Sequence, residues 1–175
     1  MIDFQQNHFE LFGLPQRFHL DLALMDKAYR GIQARVHPDR FVQASDAVRR
    51  ASMQSTTQVN EAYRTLTDPV QRAKHILELH GVDVEFETST RMPGDFLTQQ
   101  LELREELEGA VSGKDAAALD RLKSDLVDSK KALVGQIGEA IDSRKDYAGA
   151  AGLVRKLMFL DKLGAEIEAA YEEVE

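Results

Sequence analysis

The 175 residues contain no cysteine. That excludes disulfides, a thiolate nucleophile and a thiolate-ligated metal site. Long apolar runs are also missing, so a bilayer span and a membrane partner are not expected. The opening stretch, "MIDFQQNHFELFGL", has no basic segment leading into an apolar one. A secretory signal is therefore not expected, and the cytoplasm is the default location. Positive charge is in deficit: the formal net charge is −8, which argues against a nucleic-acid partner, because phosphate neutralisation needs net or clustered Lys and Arg. There is no Gly-rich phosphate loop. The five histidines, His8, His19, His37, His75 and His80, form no metal-ligand spacing with carboxylates. A di-metal site at Glu102, Glu105 and Glu106 would need Glu-x-x-His pairs, and the second half of the chain has no His. Neither enzymatic activity nor a bound metal or cofactor is expected. What is present is 43% hydrophobic and 30% charged residues, the balance of a globular chain with a real core, in one domain or two small ones.

The apolar residues recur at the helical period almost throughout, and no internal repeat is visible. His8 to Leu14 suits one or two helical turns. Asp21 is a candidate N-cap for a helix whose inner stripe is Leu22, Met25, Tyr29, Ile32 and Val36, stopped near His37 by Pro38. Ser45 opens the next helix, with Val48, Ala51, Ser55, Val59, Ala62, Tyr63 and Leu66 inward. Asp68-Pro69 starts a shorter one that buries Val70, Ala73, Ile76 and Leu77 and ends at His80-Gly81. "VDVEFETSTRMP" has no helical period and reads as a linker. Three amphipathic helices follow, over about Gly94 to Val111, Asp115 to Arg144 and Tyr147 to Glu173, with the short turns of an antiparallel bundle. The expected fold is all-α, with a domain over 1–81, a linker over 82–93 and a three-helix domain over 94–175.

Two surfaces stand out. Lys27 and Arg30 lie opposite the buried stripe of the helix that runs into His37-Pro38-Asp39, Arg35 flanks it, and Arg40 follows in the loop. A local basic face on an acidic chain suits an acidic protein partner; the plainer alternative is a solvated helix face. In the second half, Phe96, Leu103, Leu107 and Ala110 face inward. Leu97 and Leu101 lie about 100° to 140° away, among Thr98, Glu102, Glu105 and Glu108. On the last helix Leu153, Leu157, Leu160 and Ile167 face in, and Phe159 points about 120° from them. Two outward leucines and an outward Phe with an acidic rim describe a protein–protein site. The alternatives are a broad core face under the leucines and packing of Phe159 against the first domain.

His-Pro-Asp alone is a weak signal, but its context is specific. "LFGLP", "YRGIQARVHPDRF" and "VNEAYRTLTDPVQRA" together resemble the J-domain, an antiparallel helical hairpin with short flanking helices. The resemblance implies that His37, Pro38 and Asp39, with the basic face of Lys27, Arg30, Arg35 and Arg40, dock on a DnaK-type ATPase chaperone and promote its ATP hydrolysis. Arg40 stands where Lys is commoner. "FLTQQLELREELE" and "VRKLMFLDKL" resemble the C-terminal domain of the HscB family, J-type cochaperones of bacterial iron–sulfur cluster assembly. That likeness implies two partners, the chaperone HscA and the cluster scaffold IscU, the latter bound by Leu97, Thr98, Leu101, Glu102, Glu105 and Phe159. Thr98 departs from a longer apolar residue and Gly109 from a frequent carboxylate. A general J-protein would carry a Gly/Phe-rich stretch, zinc-binding cysteines or β-sandwich client domains, all absent here. A J-protein with a different, non-iron–sulfur client remains the alternative.

Overall fold

Capping residues and breakers set where the helices begin and end. The computed structural model describes residues 5–84 and 94–174, and every regular element within those ranges is helical. Helix α1, His8–Phe12, opens with a reciprocal capping box. Asn7 accepts from the Phe9 and Glu10 amides, and Glu10 accepts from the Asn7 amide at 3.0 Å. It closes on Gly13, whose φ of 64° is the left-handed conformation that glycine adopts without strain. Helix α2, Leu22–Val36, starts from the Asp21 carboxylate, which accepts from the Leu24 amide, and stops one residue before Pro38. A 3-10 turn, Pro38–Phe41, joins it to α3, Asp46–Thr67. Asp68 then caps α4, Pro69–Leu79.

Chain contacts divide the molecule into two units, Met1–Ile76 and Leu77–Glu175. In the first, Phe9, Phe12, Phe18, Met25, Val59, Leu66 and Ile76 form a core under the α2–α3 hairpin. The stacked rings of Tyr29 and Tyr63, 4.2 Å between centroids, close its outer side. Their hydroxyls donate to Asn60 and Asp26, at 2.9 and 2.7 Å. Two large apolar members of the expected stripes are exposed. Leu22 is 46% exposed and Val48 38% exposed. Both lie in the first turn of their helices, before the facing helix begins to cover them.

The division falls ahead of the expected end of the first domain at residue 81. The reason is that Leu77 onward is engaged by the second unit. His80 stacks on Tyr147 at 3.8 Å, and the Val84 carbonyl accepts from the buried Arg155 at 3.4 Å. The rest of the expected linker, residues 85–93, lies outside the described residues. The second unit holds α5, Gly94–Ser112, α6, Ala116–Gly138, and α7, Tyr147–Val174. A π-helical stretch, Glu139–Arg144, extends α6. Leu107, Leu119, Leu122, Leu160, Leu163 and Ile167 fill the space between the three helices. No helix among the described residues is long and apolar enough to cross a membrane.

One core contact makes the stability of the first unit depend on pH. His75 stacks on His8 at 4.2 Å and on Phe9 at 5.8 Å. Burial first, and the charge of His8 second, lower its pKa from 6.5 to about 4. Between those values the unfolded chain binds a proton that the folded chain refuses. Stability present above pH 6.5 is therefore lost as the pH falls toward about 4. Since the ring is half-buried, we expect a contribution of about 1–2 kcal/mol. Comparing denaturant midpoints at about pH 7 and pH 5 for wild type and His75→Gln checks it; equal pH slopes would refute it.

Candidate functional site

The His37-Pro38-Asp39 segment is shaped by the end of α2. His37 has left the helix, with φ −57° and ψ 131°, the extended conformation imposed by the following proline. Its amide still donates to the Gln33 carbonyl at 3.0 Å, and its Nδ1 accepts from the Asp39 amide at 3.3 Å. An accepting Nδ1 leaves Nε2 as the protonated, donating nitrogen, so the ring offers one N–H away from the backbone. The Asp39 carboxylate lies 3.5 Å from the same Nδ1 and is 86% exposed. That pair becomes an ion pair only on protonation of the ring.

Helix ends leave carbonyls without partners, and here those carbonyls have been answered. Arg40 folds back to donate to the Ala34 carbonyl at 3.1 Å. The hydroxyls of Ser52 and Thr56, on α3, both donate to the Val36 carbonyl. The loop therefore rests on a base tied to both helices while its polar side chains face solvent. Arg30 and Arg35 lie along α2, donating to the Asp26 and Gly31 carbonyls at 3.4 and 3.3 Å, and with Lys27 are exposed. The structure thus brings His37, Pro38, Asp39, Arg35 and Arg40 to one end of the hairpin, with Lys27 and Arg30 further along the same helix.

On α5 the outward face is as the spacing indicates. Leu97 is 53% and Leu101 59% exposed, and Thr98, Glu102, Glu105 and Glu108 are exposed around them. Phe159 differs from expectation. It is half-buried rather than presented outward, because its ring packs edge-on against the buried Phe96 at 5.7 Å. The Arg104 guanidinium lies 6.0 Å from its centroid and reaches Glu166 at 3.9 Å. The angle of Phe159 from the α7 stripe is large, yet α5 crosses on that side and covers it. Phe159→Ala is therefore expected to cost about 2 kcal/mol of stability, less than the 3–5 of a fully buried Phe. A chemical denaturation curve checks this, and an unchanged midpoint would show the ring to be free.

Two contributors carried no sequence signal: the Ser52 and Thr56 hydroxyls. A Ser or Thr inside a helix is ordinary, and only the partner helix reveals the carbonyl it serves. Among the described residues no three His, Asp or Glu side chains gather as a metal site.

Comparison with known proteins agrees across the chain. Residues 92–168 match the family model described as the HSCB C-terminal oligomerisation domain. A co-chaperone protein HscB homolog of Burkholderia mallei is 47% identical over 100% of this chain and 99% of its own length. Among solved structures, the chaperone HscB from Vibrio cholerae is 35% identical with a TM-score of 0.83, over 97% of this chain and 100% of that one. The human co-chaperone protein HscB is 27% identical with a TM-score of 0.89, over 96% of this chain and 83% of that one.

Proposed function

The chain belongs to the HscB family of co-chaperones, and from that premise we propose that it stimulates the ATPase of a DnaK-type chaperone, HscA, and delivers the iron–sulfur scaffold protein IscU to it for cluster transfer. The observation that carries the reading is the coexistence of two exposed, chemically distinct faces on one chain: a braced His-Pro-Asp loop with a basic helix, and a leucine pair rimmed by carboxylates.

In this reading residues 1–81 act as the J-domain. His37 donates from Nε2, Asp39 offers its carboxylate, and Pro38 holds the backbone so that little entropy is lost on docking. Lys27, Arg30, Arg35 and Arg40 steer an acidic surface of the chaperone onto the loop. Residues 94–175 hold the scaffold. Leu97 and Leu101 enter apolar pockets on it, Thr98 sits beside them, and Glu102 and Glu105 meet basic residues at the rim. Phe159 contributes the exposed part of its ring and supports Phe96 beneath the face. ATP chemistry belongs to the chaperone; this chain supplies no catalytic group. It works in the cytoplasm by holding both partners at once, which raises their effective concentration.

The test is single-turnover ATP hydrolysis by HscA with this chain, with and without IscU. Stimulation by the chain that rises further with IscU is the expected result. Stimulation that ignores IscU would leave a J-protein with a different, non-iron–sulfur client.

A further inference from the structure

Pro38 does more than end α2. In a continuing helix the Ala34, Arg35 and Val36 carbonyls would accept from the amides of residues 38, 39 and 40. Pro38 has no N–H to give. The Asp39 amide donates instead to His37 Nδ1 at 3.3 Å, and the Arg40 amide to the His37 carbonyl at 3.1 Å. The Arg40 side chain stands in for the missing Pro38 donor at the Ala34 carbonyl. The Val36 carbonyl is left to α3.

Ser52 and Thr56 are one helical turn apart on α3, so both hydroxyls reach the same oxygen. Ser52 is buried, and Thr56 is half-buried and donates at 3.3 Å. Further along this inner face Val59, Ala62 and Leu66 are buried and apolar. Hydroxyls take over at the turn that faces the end of α2. The oxygen they hold belongs to the peptide plane joining Val36 to His37. The other edge of that plane, the His37 amide, donates to the Gln33 carbonyl at 3.0 Å. A peptide unit is rigid, so bonds at both edges fix its orientation. The plane then sets where the His37 Cα lies, and the bond from the Asp39 amide to Nδ1 sets where the ring points.

We propose that Ser52 and Thr56 are positioning residues for the chaperone response: their hydroxyls, held at the Val36 carbonyl inside the hairpin, fix the direction in which His37 offers its Nε2–H. The proposal deepens the function given above and rests on it. The two residues act on the chaperone through His37 and not by contact. A loop ordered beforehand loses little freedom on docking. Without the hydroxyls the loop keeps its His-Pro-Asp composition, but the peptide plane under His37 is held at one edge only, and the ring samples several directions.

The experiment compares four full-length chains. Ser52→Ala with Thr56→Val removes both hydroxyls and keeps nearly all the volume. Ser52→Ala with Thr56→Ser keeps one hydroxyl. Ile76→Val, a core change on α4, lowers stability by a similar amount while leaving the loop alone. Wild type is the fourth. Two readouts are taken: single-turnover ATP hydrolysis by HscA, and hydrogen exchange of the His37 amide in the free protein. The chain without hydroxyls is expected to stimulate at least about fivefold less, the effect of one lost hydrogen bond. Its His37 amide is expected to exchange about tenfold faster, as a locally opened helix end does. The chain with one hydroxyl is expected to recover most of both, and Ile76→Val to match wild type in both. Unchanged exchange or undiminished stimulation in the chain without hydroxyls would overturn the proposal. So would an equal loss of stimulation in Ile76→Val, which would trace the effect to stability. A wild type that fails to stimulate HscA would remove the function proposed above, and the exchange rates would still decide whether the hydroxyls hold His37.

Discussion

A His37→Gln variant is expected to stimulate the chaperone at least about 10-fold less than wild type, with no change in thermal stability. Tenfold corresponds to about 1.4 kcal/mol, within the value of one oriented, charge-facing hydrogen bond. The imidazole does two things at once: Nδ1 accepts from the Asp39 amide at 3.3 Å, and Nε2–H points outward. A Gln amide carries its acceptor one bond further from the backbone than Nδ1, with acceptor and donor on one terminal carbon, so it cannot place both where the ring does. It does not hold Asp39 in place while donating outward. The side chain is about half exposed and makes no core contact, so the fold should not register the change. ATP hydrolysis under single-turnover conditions reads the effect, with a melting curve beside it. Undiminished stimulation by a folded variant would sink the role given to the loop.

The second large effect is on scaffold affinity. Leu97→Ala combined with Leu101→Ala is expected to raise the dissociation constant for IscU by about 100-fold. Each leucine that passes from water into a pocket gives about 1.5 kcal/mol or more, and two together approach 3 kcal/mol. Both side chains are more than half exposed in the free protein, so the double variant should melt with wild type. Phe159 is left out of this variant because its ring packs on Phe96, and its loss would mix folding with binding. Calorimetry of IscU against the two proteins gives the answer. Equal affinities would move the scaffold site elsewhere on the chain.

Helix boundaries were legible because they follow from backbone rules that act locally. Pro38 and Pro69 cannot be helix interior, Asp21 and Ser45 hold free amides, and Gly81 takes a left-handed φ. On α7, Leu157, Leu160 and Ile167 are buried as the helical period indicated, while Leu153 is only partly buried. What escaped depends on where a second element begins and ends. Leu22 and Val48 lie on the right side of their helices but beyond the reach of the helix opposite. Phe159 lies off its own stripe but under α5. Arg155 is buried because the Val84 carbonyl comes to meet it, an event 71 residues away in sequence. The leucines of α5 were legible as outward because nothing in the bundle claims that side. The His-Pro-Asp loop was legible as a motif, whereas its support from α3 was not.

That support bears on how force passes through the molecule. A partner that docked on the loop would load the last turn of α2, where an unsupported helix frays. Here the Val36 carbonyl is held by two hydroxyls from the middle of α3 and the Ala34 carbonyl by Arg40. Such a load would be shared by α3 as well as α2, because the two hydroxyls that hold the Val36 carbonyl belong to α3. Moving the loop away would mean breaking bonds to both helices together, so the loop and the hairpin behave as one body.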